Sequence, residues 1–262
     1  MKRKYLVVSE GETDFEVLRA IIEEHANNAQ WKVKVDPVFP GIGRHKKNGG
    51  WSNLKNWCIE QAKDLSGPRN LAAAAAALGA PKTVTPTTQS VQKRKDKIAA
   101  ALLLQPPYSF ATFVFQLDTD VAESYMGDTS LANLATPLSV SDRRLVGEAA
   151  LDNWLGAHIQ KKNNGIIYCI STHATETFLL ANHDAVEISS ALKTSAIPND
   201  YDHLKNPDLV LVELGYSSET DKGNKVLKKT TAKYKKHSEK FANNLINARL
   251  RSSSLDTFVN ML

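Results

Sequence analysis

Short apolar runs of strand length alternate along this chain with longer segments in which apolar residues recur every three or four positions. The clearest run is the segment 109–117, which contains Phe110, Phe113, Val114 and Phe115. An almost continuous apolar run of this length is typical of a strand that is covered on both faces. The alternation therefore predicts an α/β fold with a central, mostly parallel sheet and helices on both faces.

The elements can be placed approximately from the same pattern. Strands are predicted over residues 4–9, 31–39, 109–117, 165–170 and 208–214. Helices are predicted over about 13–25, 53–65, 142–161 and 176–180, and over a basic C-terminal extension, 222–262. Thr13 and Glu16 have the spacing of a capping box at the start of the first helix. The extension is expected to bury an apolar side formed by Tyr234, Phe241, Leu245 and Ala248.

Domain organisation is predicted to be a single α/β domain over residues 1–262 with one interruption. Residues 67–107 contain an alanine run and a stretch rich in proline and threonine. Such a composition cannot fill a core as the flanking segments can. This segment is therefore a candidate insertion or mobile arm.

Composition excludes several classes of protein. Of the 262 residues, 42% are hydrophobic and 23% are charged, which is ordinary for a globular chain. No uninterrupted apolar run reaches the eighteen or so residues of a membrane span, and the apolar stretch after MKRK is too short for a secretory signal. We therefore expect a cytoplasmic protein without a membrane partner. Cys58 and Cys169 lack the spacing of a zinc site or a disulfide framework and are expected to be core thiols.

Positive charge is moderate in total and uneven in distribution. The net charge is +5, and lysine and arginine gather in residues 44–47, 93–97 and 222–240. Such clusters suit a polyanion such as DNA or RNA, although each could also be a solvated face. The residues that we expect to contact nucleic acid are Arg44, Lys46, Lys47, Lys228, Lys229, Lys235 and Lys236.

Acidic residues follow two of the predicted strands. Glu10 comes after the first, and Asp118 and Asp120 come after the strand 109–117. Asp118 and Asp120 are two residues apart, so on an extended backbone their carboxylates point to the same side. In a parallel sheet the functional crevice lies beyond the carboxyl ends of the strands. Together these carboxylates could hold a hard divalent ion such as Mg²⁺, or the aspartates could simply form a turn that ends the strand.

A strand that ends in "SEGETD", followed much later by a strand that ends in "DTD", resembles the Toprim domain of topoisomerases, bacterial primases and OLD-type nucleases. The resemblance implies a Rossmannoid three-layer sandwich with helical additions. It implies that Glu10 is a catalytic acid or base and a member of the metal site, and that Asp118 and Asp120 bind magnesium and are also catalytic. It places Asp14 in support of that site, although an acid at a helix start also complements the helix dipole.

The segment "THATETFLLANH" and the tail also resemble small stand-alone Toprim-like proteins of prokaryotic defence loci. In those proteins an acid before the helix completes the metal site, and Glu176 occupies that position here. The chain lacks the proline and phenylalanine often found before it, and residues 67–107 depart from a compact Toprim core. Glu176 could also be an ordinary first-turn acid.

The function that this resemblance implies is a nuclease that uses Mg²⁺ or Mn²⁺ to hydrolyse phosphodiester bonds of DNA or RNA. A topoisomerase or a primase needs further machinery, for which little chain remains. The resemblance further implies an anti-phage effector controlled by an ATPase partner, of the ABC type or another, and leaves a homo-oligomer open.

Three alternatives remain open at the level of sequence. "LDTDV" also fits the start of haloacid-dehalogenase-like phosphatases, in which Asp118 would be a covalent nucleophile. A DxD pair also occurs in glycosyltransferases, although no sugar-nucleotide signature is present. The third alternative is a non-catalytic Toprim-like module that binds nucleic acid or protein. A zinc site of His173, Glu176 and His183 is disfavoured because the histidines are off the helical register.

Overall fold

The structure is a computed structural model, which describes residues 2–40, 49–66, 111–156, 165–194 and 196–262. Arg44, Lys46 and Lys47, predicted to contact nucleic acid, lie outside the described residues. The predicted insertion or arm, 67–107, also lies outside them.

The described residues contain a four-stranded parallel sheet. Its strands are β1 (Lys2–Val8), β2 (Lys32–Phe39), β3 (Ala111–Asp118) and β4 (Ile166–Ser171). Their order in the sheet is β2-β1-β3-β4, and every neighbouring pair is parallel. The predicted α/β architecture with a mostly parallel central sheet is therefore confirmed.

Strand β3 lies between β1 and β4 and is buried on both faces, as its apolar run predicts. Val114 belongs to the core on one side of the sheet, whereas Phe113 and Phe115 belong to the core on the other side. Alternate side chains point to opposite faces of a strand, so each face of β3 needs its own apolar layer. The sheet is thus the middle of three layers.

Helices cover both faces. One face carries α1 (Glu12–Asn28) and a set of shorter helices from the C-terminal half. These are α5 (Glu176–Leu180), α6 (Ala185–Leu192), α7 (Pro207–Glu213), α8 (Thr231–Ser238), α9 (Leu245–Arg249) and α10 (Ser253–Met261). The other face carries α2 (Trp51–Ser66), α3 (Ala122–Tyr125) and α4 (Val140–Leu155). Cys58 and Cys169 are buried free thiols, as expected.

The strand predicted over residues 208–214 is wrong, because this segment forms helix α7. The run of Leu and Val residues was too short for periodicity to separate a buried strand from a buried helix. Pro207 occupies the first turn, where its fixed φ angle favours a helix, and Val210 and Leu211 are buried against the core. The helix packs beside α5 and contributes no strand to the sheet.

The capping box predicted for the first helix is also wrong. Helix α1 begins at Glu12 with Gly11 as its N-cap, and no side chain caps it. Thr13 therefore lies inside the first turn, and the carboxylate of Glu16 pairs with Arg19 instead. The chain turns early because the hydroxyl group of Ser9 donates a hydrogen bond to the backbone oxygen of Gly11 at 2.8 Å.

The C-terminal extension is only partly helical. Its first residues belong to an antiparallel hairpin of β5 (Ser218–Asp221) and β6 (Asn224–Leu227), which corrects the helix predicted from residue 222. The expected apolar side is confirmed, since its four members are all buried in one core: Tyr234, Phe241, Leu245 and Ala248. In the part of the chain that the structure describes, no helix has the length and apolar character needed to cross a membrane.

Candidate functional site

Five carboxylates converge at the carboxyl end of the sheet. Glu10 follows β1, Asp118 ends β3, and Asp120 lies two residues further on. Asp14 is in the first turn of α1, and Glu176 is the first residue of α5, after β4. Because β1, β3 and β4 are neighbours, distant segments meet here, and the backbone N–H of Asp118 donates to Glu10 Oε1 at 2.7 Å. The structure brings together all five acids that the sequence singled out.

The cluster opens to solvent on one side. Asp14 and Glu176 are buried, with exposed fractions of 7% and 2%. Glu10 and Asp118 are partly exposed, and Asp120 is exposed. Asp120 is therefore the acid of the cluster that a ligand arriving from solvent would meet first.

The five carboxyl groups lie close together and several are buried, and both conditions disfavour their charged forms. Loss of hydration raises the pKa of Asp118 well above its usual range, and the charges of Asp14, Glu10 and Glu176 raise it further. Burial, followed by the charge of Asp14, raises the pKa of Glu10 to about 8. Burial, followed by the charge of Glu176, raises the pKa of Asp14 to about 6. Burial also raises the pKa of Asp120. The cluster therefore holds protons near neutral pH unless a cation replaces them.

The Glu10 carboxylate is held by the backbone of two other segments. Hydrogen bonds from the backbone N–H groups of Asp118 and Trp51 favour its charged form and oppose part of the rise in its pKa. Trp51 is the first residue of α2, so this helix start also faces the site. The Glu10 carboxylate is consequently held between the end of β3 and the start of α2.

The backbone of Glu10 leaves no room for a side chain at Gly49. A Cβ atom added to Gly49 would lie 2.3 Å from the backbone oxygen of Glu10. The next residue, Gly50, donates its N–H to the same oxygen at 2.7 Å. This close approach connects the start of α2 to the acidic turn and requires glycine at residue 49.

Gln116 is a further residue of the candidate site, and the sequence did not single it out. Its fully buried side chain accepts a hydrogen bond from the Glu10 N–H at 2.9 Å and donates one to Asp118 Oδ1 at 2.6 Å. The hydroxyl group of Ser171 donates to the same Asp118 oxygen. The available signal was a lone amide in the apolar run FVFQLD, since a buried polar group needs partners.

Arg143, on α4, was also missed. Its guanidinium group donates to the backbone oxygen of Thr119, between the two aspartates, and pairs with the carboxylate of Glu123. Arg143 therefore fixes the chain that carries Asp120 after the end of β3. Nothing in its sequence neighbourhood indicated this, because its partners are about 20 residues away.

The C-terminal extension closes the cluster from the side of α5. The Lys229 ammonium group lies 2.8 Å from Glu176 Oε1, and the hydroxyl group of Tyr234 donates to the same oxygen. Burial alone would lower the pKa of Lys229, but the charge of Glu176 and their hydrogen bond raise it overall, with Asp118 and Asp14 contributing. Lys229 is thus a cation that pairs with the buried Glu176 while about half of its own side chain, 52%, stays exposed to solvent.

The other three lysines of the extension that are predicted to contact nucleic acid do not pair with an acid of the cluster. Lys228 Nζ lies 3.7 Å from the carboxylate of Glu219 on the hairpin. Lys235 and Lys236 are exposed on α8. They could contact the backbone of a nucleic acid that crosses this face, but only Lys229 reaches the acids.

The donor set suits Mg²⁺ or Mn²⁺ by its chemistry, because it consists of carboxylate oxygens. In their present positions, however, the His, Cys, Asp and Glu side chains of the described residues form no group of three that could hold a metal ion. Several of the carboxylate oxygens accept hydrogen bonds from Gln116, Ser171, Thr175 or Tyr234. Binding a metal would therefore require these side chains to turn toward it.

Comparison of the chain with known proteins identifies no relative. No family model matches the chain, and neither a curated protein nor a solved structure matches it. The resemblance to Toprim proteins consequently depends on the motifs.

Proposed function

We propose that this protein is a metal-dependent nuclease that hydrolyses phosphodiester bonds of DNA or RNA, with a Toprim-like arrangement of its acids. One observation carries the proposal: five carboxylates from three adjacent strands and the helices that follow them meet at the carboxyl edge of a parallel sheet. Acids in such a position repel one another, and a protein retains them where they bind a cation or move protons.

Asp118, Asp120 and Glu176 would hold Mg²⁺ or Mn²⁺, with Glu10 and Asp14 beside them. When bound, the cation supplies positive charge that polarises a phosphate and stabilises the oxygen that leaves. The raised pKa values of the acids are consistent with such a role, since burial and then mutual repulsion disfavour the charged carboxylates, which a cation would stabilise.

The remaining chemistry falls to the protein's own side chains. Glu10, which would lose its own proton once a cation offsets the repulsion in the cluster, would accept the proton of the attacking water as the water oxygen bonds to phosphorus. The bond from phosphorus to the leaving oxygen breaks in the same step, and the leaving oxygen takes up a proton from solvent. Gln116 and the backbone N–H of Asp118 orient Glu10 for this step. Lys229 could donate to a non-bridging phosphate oxygen, because its ammonium group already lies at the cluster.

A role as an anti-phage effector under the control of an ATPase partner forms part of the same proposal and rests on the resemblance alone. If the wild-type protein cleaves nothing, the cleavage assay is repeated with any ATPase encoded beside it. Activity that appears only with this ATPase would support a regulated effector.

The test is cleavage of plasmid DNA, single-stranded DNA and transfer RNA with Mg²⁺, Mn²⁺ or EDTA. We expect cleavage that needs the metal and that falls by on the order of a hundredfold or more in Glu10→Gln and Asp118→Asn, because each removes a group of the reacting centre. Glu213→Gln, an exposed carboxylate at the end of α7, is the matched control and should cleave as the wild type does. Cleavage that persists in Glu10→Gln and Asp118→Asn would contradict the proposal.

A non-catalytic binding module is the second candidate, and a specific observation favours it. Asp14 accepts a hydrogen bond from Thr175, Glu176 pairs with Lys229, and the described residues contain no group of three ligands for a metal ion. This candidate predicts nucleic-acid or protein binding that is unchanged by Glu10→Gln, with no cleavage under any condition. A phosphatase that uses Asp118 as its nucleophile would instead show stable phosphorylation of Asp118.

A further inference from the structure

A cleft leads away from the acidic cluster on the side of Asp120. It has a volume of about 610 Å³ and lies between the first turn of α4 and residues 203–208, which end with the start of α7. Asp120, Glu176 and Lys229 are among the residues that line it, so the cleft adjoins the acidic cluster. Pockets of this size accept a ligand of about the dimensions of one nucleotide, and a double helix does not fit in one.

The rest of the cleft carries positive or neutral nitrogen groups. Arg143, His173, His203 and Lys205 line it. Burial lowers the pKa of His173, and the charges of Arg143 and Lys205 lower it further, which indicates that these groups are close enough to act on one another. Asp208 also lines the cleft, where it is outnumbered by the two cations Arg143 and Lys205.

Lys205 is the cation of this group that is available to a ligand. The Arg143 side chain already binds Thr119 and Glu123, whereas Lys205 is exposed and has no ion-pair partner among the residues that the structure describes. An ammonium group that protrudes into a cleft without a carboxylate partner is suited to a phosphate.

His173, which lines the cleft, has an uncommon backbone conformation. His173 has a φ angle of 65°, its carbonyl oxygen accepts the N–H of Asp120 at 2.8 Å, and its own N–H donates to Thr119 Oγ1 at 3.2 Å. Non-glycine residues in this region are strained and persist where the surrounding structure fixes them. These two hydrogen bonds hold His173 beside Asp120 in the wall of the cleft.

We propose that this cleft binds one phosphorylated nucleotide of the substrate strand, next to the bond that is cut, with Lys205 on its phosphate. The proposal rests on the proposed nuclease function, because it makes the cleft the continuation of the same site. A strand that passes along the cleft presents its next phosphodiester to the acids. A single strand can follow this path, so the substrate class is single-stranded nucleic acid or a locally opened duplex.

The test is the binding of adenosine 5′-monophosphate (AMP), compared with adenosine, in Mg²⁺ buffer by ligand-observed NMR or calorimetry. AMP has no phosphodiester bond, so its binding does not depend on cleavage. We expect AMP to bind more tightly than adenosine, and Lys205→Glu to weaken AMP binding on the order of tenfold, since reversing one charge at a phosphate is worth about 1.4 kcal/mol. Lys205→Gln should weaken it by less.

Lys32→Gln is the matched control, because Lys32 is an exposed lysine at the amino end of β2, at the opposite edge of the sheet. It should leave AMP binding unchanged. Equal affinity of wild type and Lys205→Glu for AMP, or no binding of AMP by the wild type, would overturn the proposal. AMP binding that depends on Lys205 supports the proposed cleft even if no nucleic acid is cleaved, in which case only the nuclease function fails.

Discussion

At the scale of single residues, Gly49 shows how the backbone itself shapes the site. Its position against the backbone oxygen of Glu10 leaves no space for a methyl group. Gly49→Ala should therefore push the start of α2 and the Glu10 turn apart and lower the free energy of unfolding by about 1–3 kcal/mol. Urea denaturation measures this loss.

Gly127→Ala is the control for that substitution. A Cβ atom at Gly127 meets nothing within 4 Å, and its φ angle is not in the left-handed region. Its free energy of unfolding should stay within about 0.5 kcal/mol of the wild type. Similar losses in both variants would show that the contact at Gly49 has no special role.

The acids themselves could be predicted from sequence, but most of their partners could not. Glu10, Asp118 and Asp120 stand out because charged residues directly follow apolar strands. Gln116 and Tyr234 were hidden because each belongs to an apolar pattern, and only the fold shows that their polar atoms reach Asp118 and Glu176. The spacing of apolar residues, with a period of two in strands and 3.6 in helices, indicates which face of the element a side chain occupies. It does not indicate which group the polar atom of that side chain contacts.

At the scale of elements, the connection between the hairpin and α8 places the Lys229 ammonium group against the acidic cluster. Lys229→Met would leave the Glu176 carboxylate, only 2% exposed, without its cation. Because an uncompensated buried charge is costly, we expect a loss of about 1–3 kcal/mol in the free energy of unfolding in EDTA.

Lys228→Met tests whether that loss is specific to the cluster. Lys228 and Glu219 form an exposed pair at 3.7 Å, and such pairs contribute less than about 1 kcal/mol. The two lysines are similarly exposed and differ in their partners, because Glu176 is buried and Glu219 is not. Equal losses in the two variants, measured by urea denaturation in EDTA, would contradict the assignment of Lys229 as the cation that compensates the buried Glu176.

Strands and helices could be predicted from the sequence where the length or the burial of a segment distinguished one from the other. The run that forms β3 follows Pro106 and Pro107, which separate it from the preceding segment, and its burial on both faces agrees with its composition. The segment 208–214 has a similar apolar run, yet Pro207 and the packing against α5 make it a helix. Tertiary contacts decide such short segments, and the sequence does not reveal them.

At the scale of the whole molecule, strand order explains why residues so far apart in sequence form one site. The alternation of strands and helices predicts a parallel sheet, but it does not predict that β1 lies between β2 and β3. Because β1, β3 and β4 are neighbours, the acids that end or follow these strands come to one edge, where parallel sheets place their sites. The proximity of Glu176 to Asp14 and Asp118 depends on this order.

The same clustering makes the stability of the metal-free protein depend on pH. Folding raises the pKa of Glu10 from 4.5 to about 8 and that of Asp14 from 3.8 to about 6. An acid whose pKa is raised on folding binds more protons in the folded state, so its contribution to stability is full below the unfolded pKa and is lost as the pH rises through the folded pKa. In EDTA the melting temperature should therefore fall between about pH 4 and about pH 8, with a smaller fall in Glu10→Gln.

The most direct test of the central claim, that this cluster binds a divalent cation, is the melting temperature of the wild-type protein at about pH 8 in EDTA and in Mg²⁺. We expect Mg²⁺ to raise it by about 3 °C or more, the shift that about 1 kcal/mol causes in a chain of this size. The rise should be smaller at about pH 5, where protons occupy the acids, and smaller in Asp118→Asn. Equal melting temperatures in EDTA and Mg²⁺ at about pH 8 would contradict the claim.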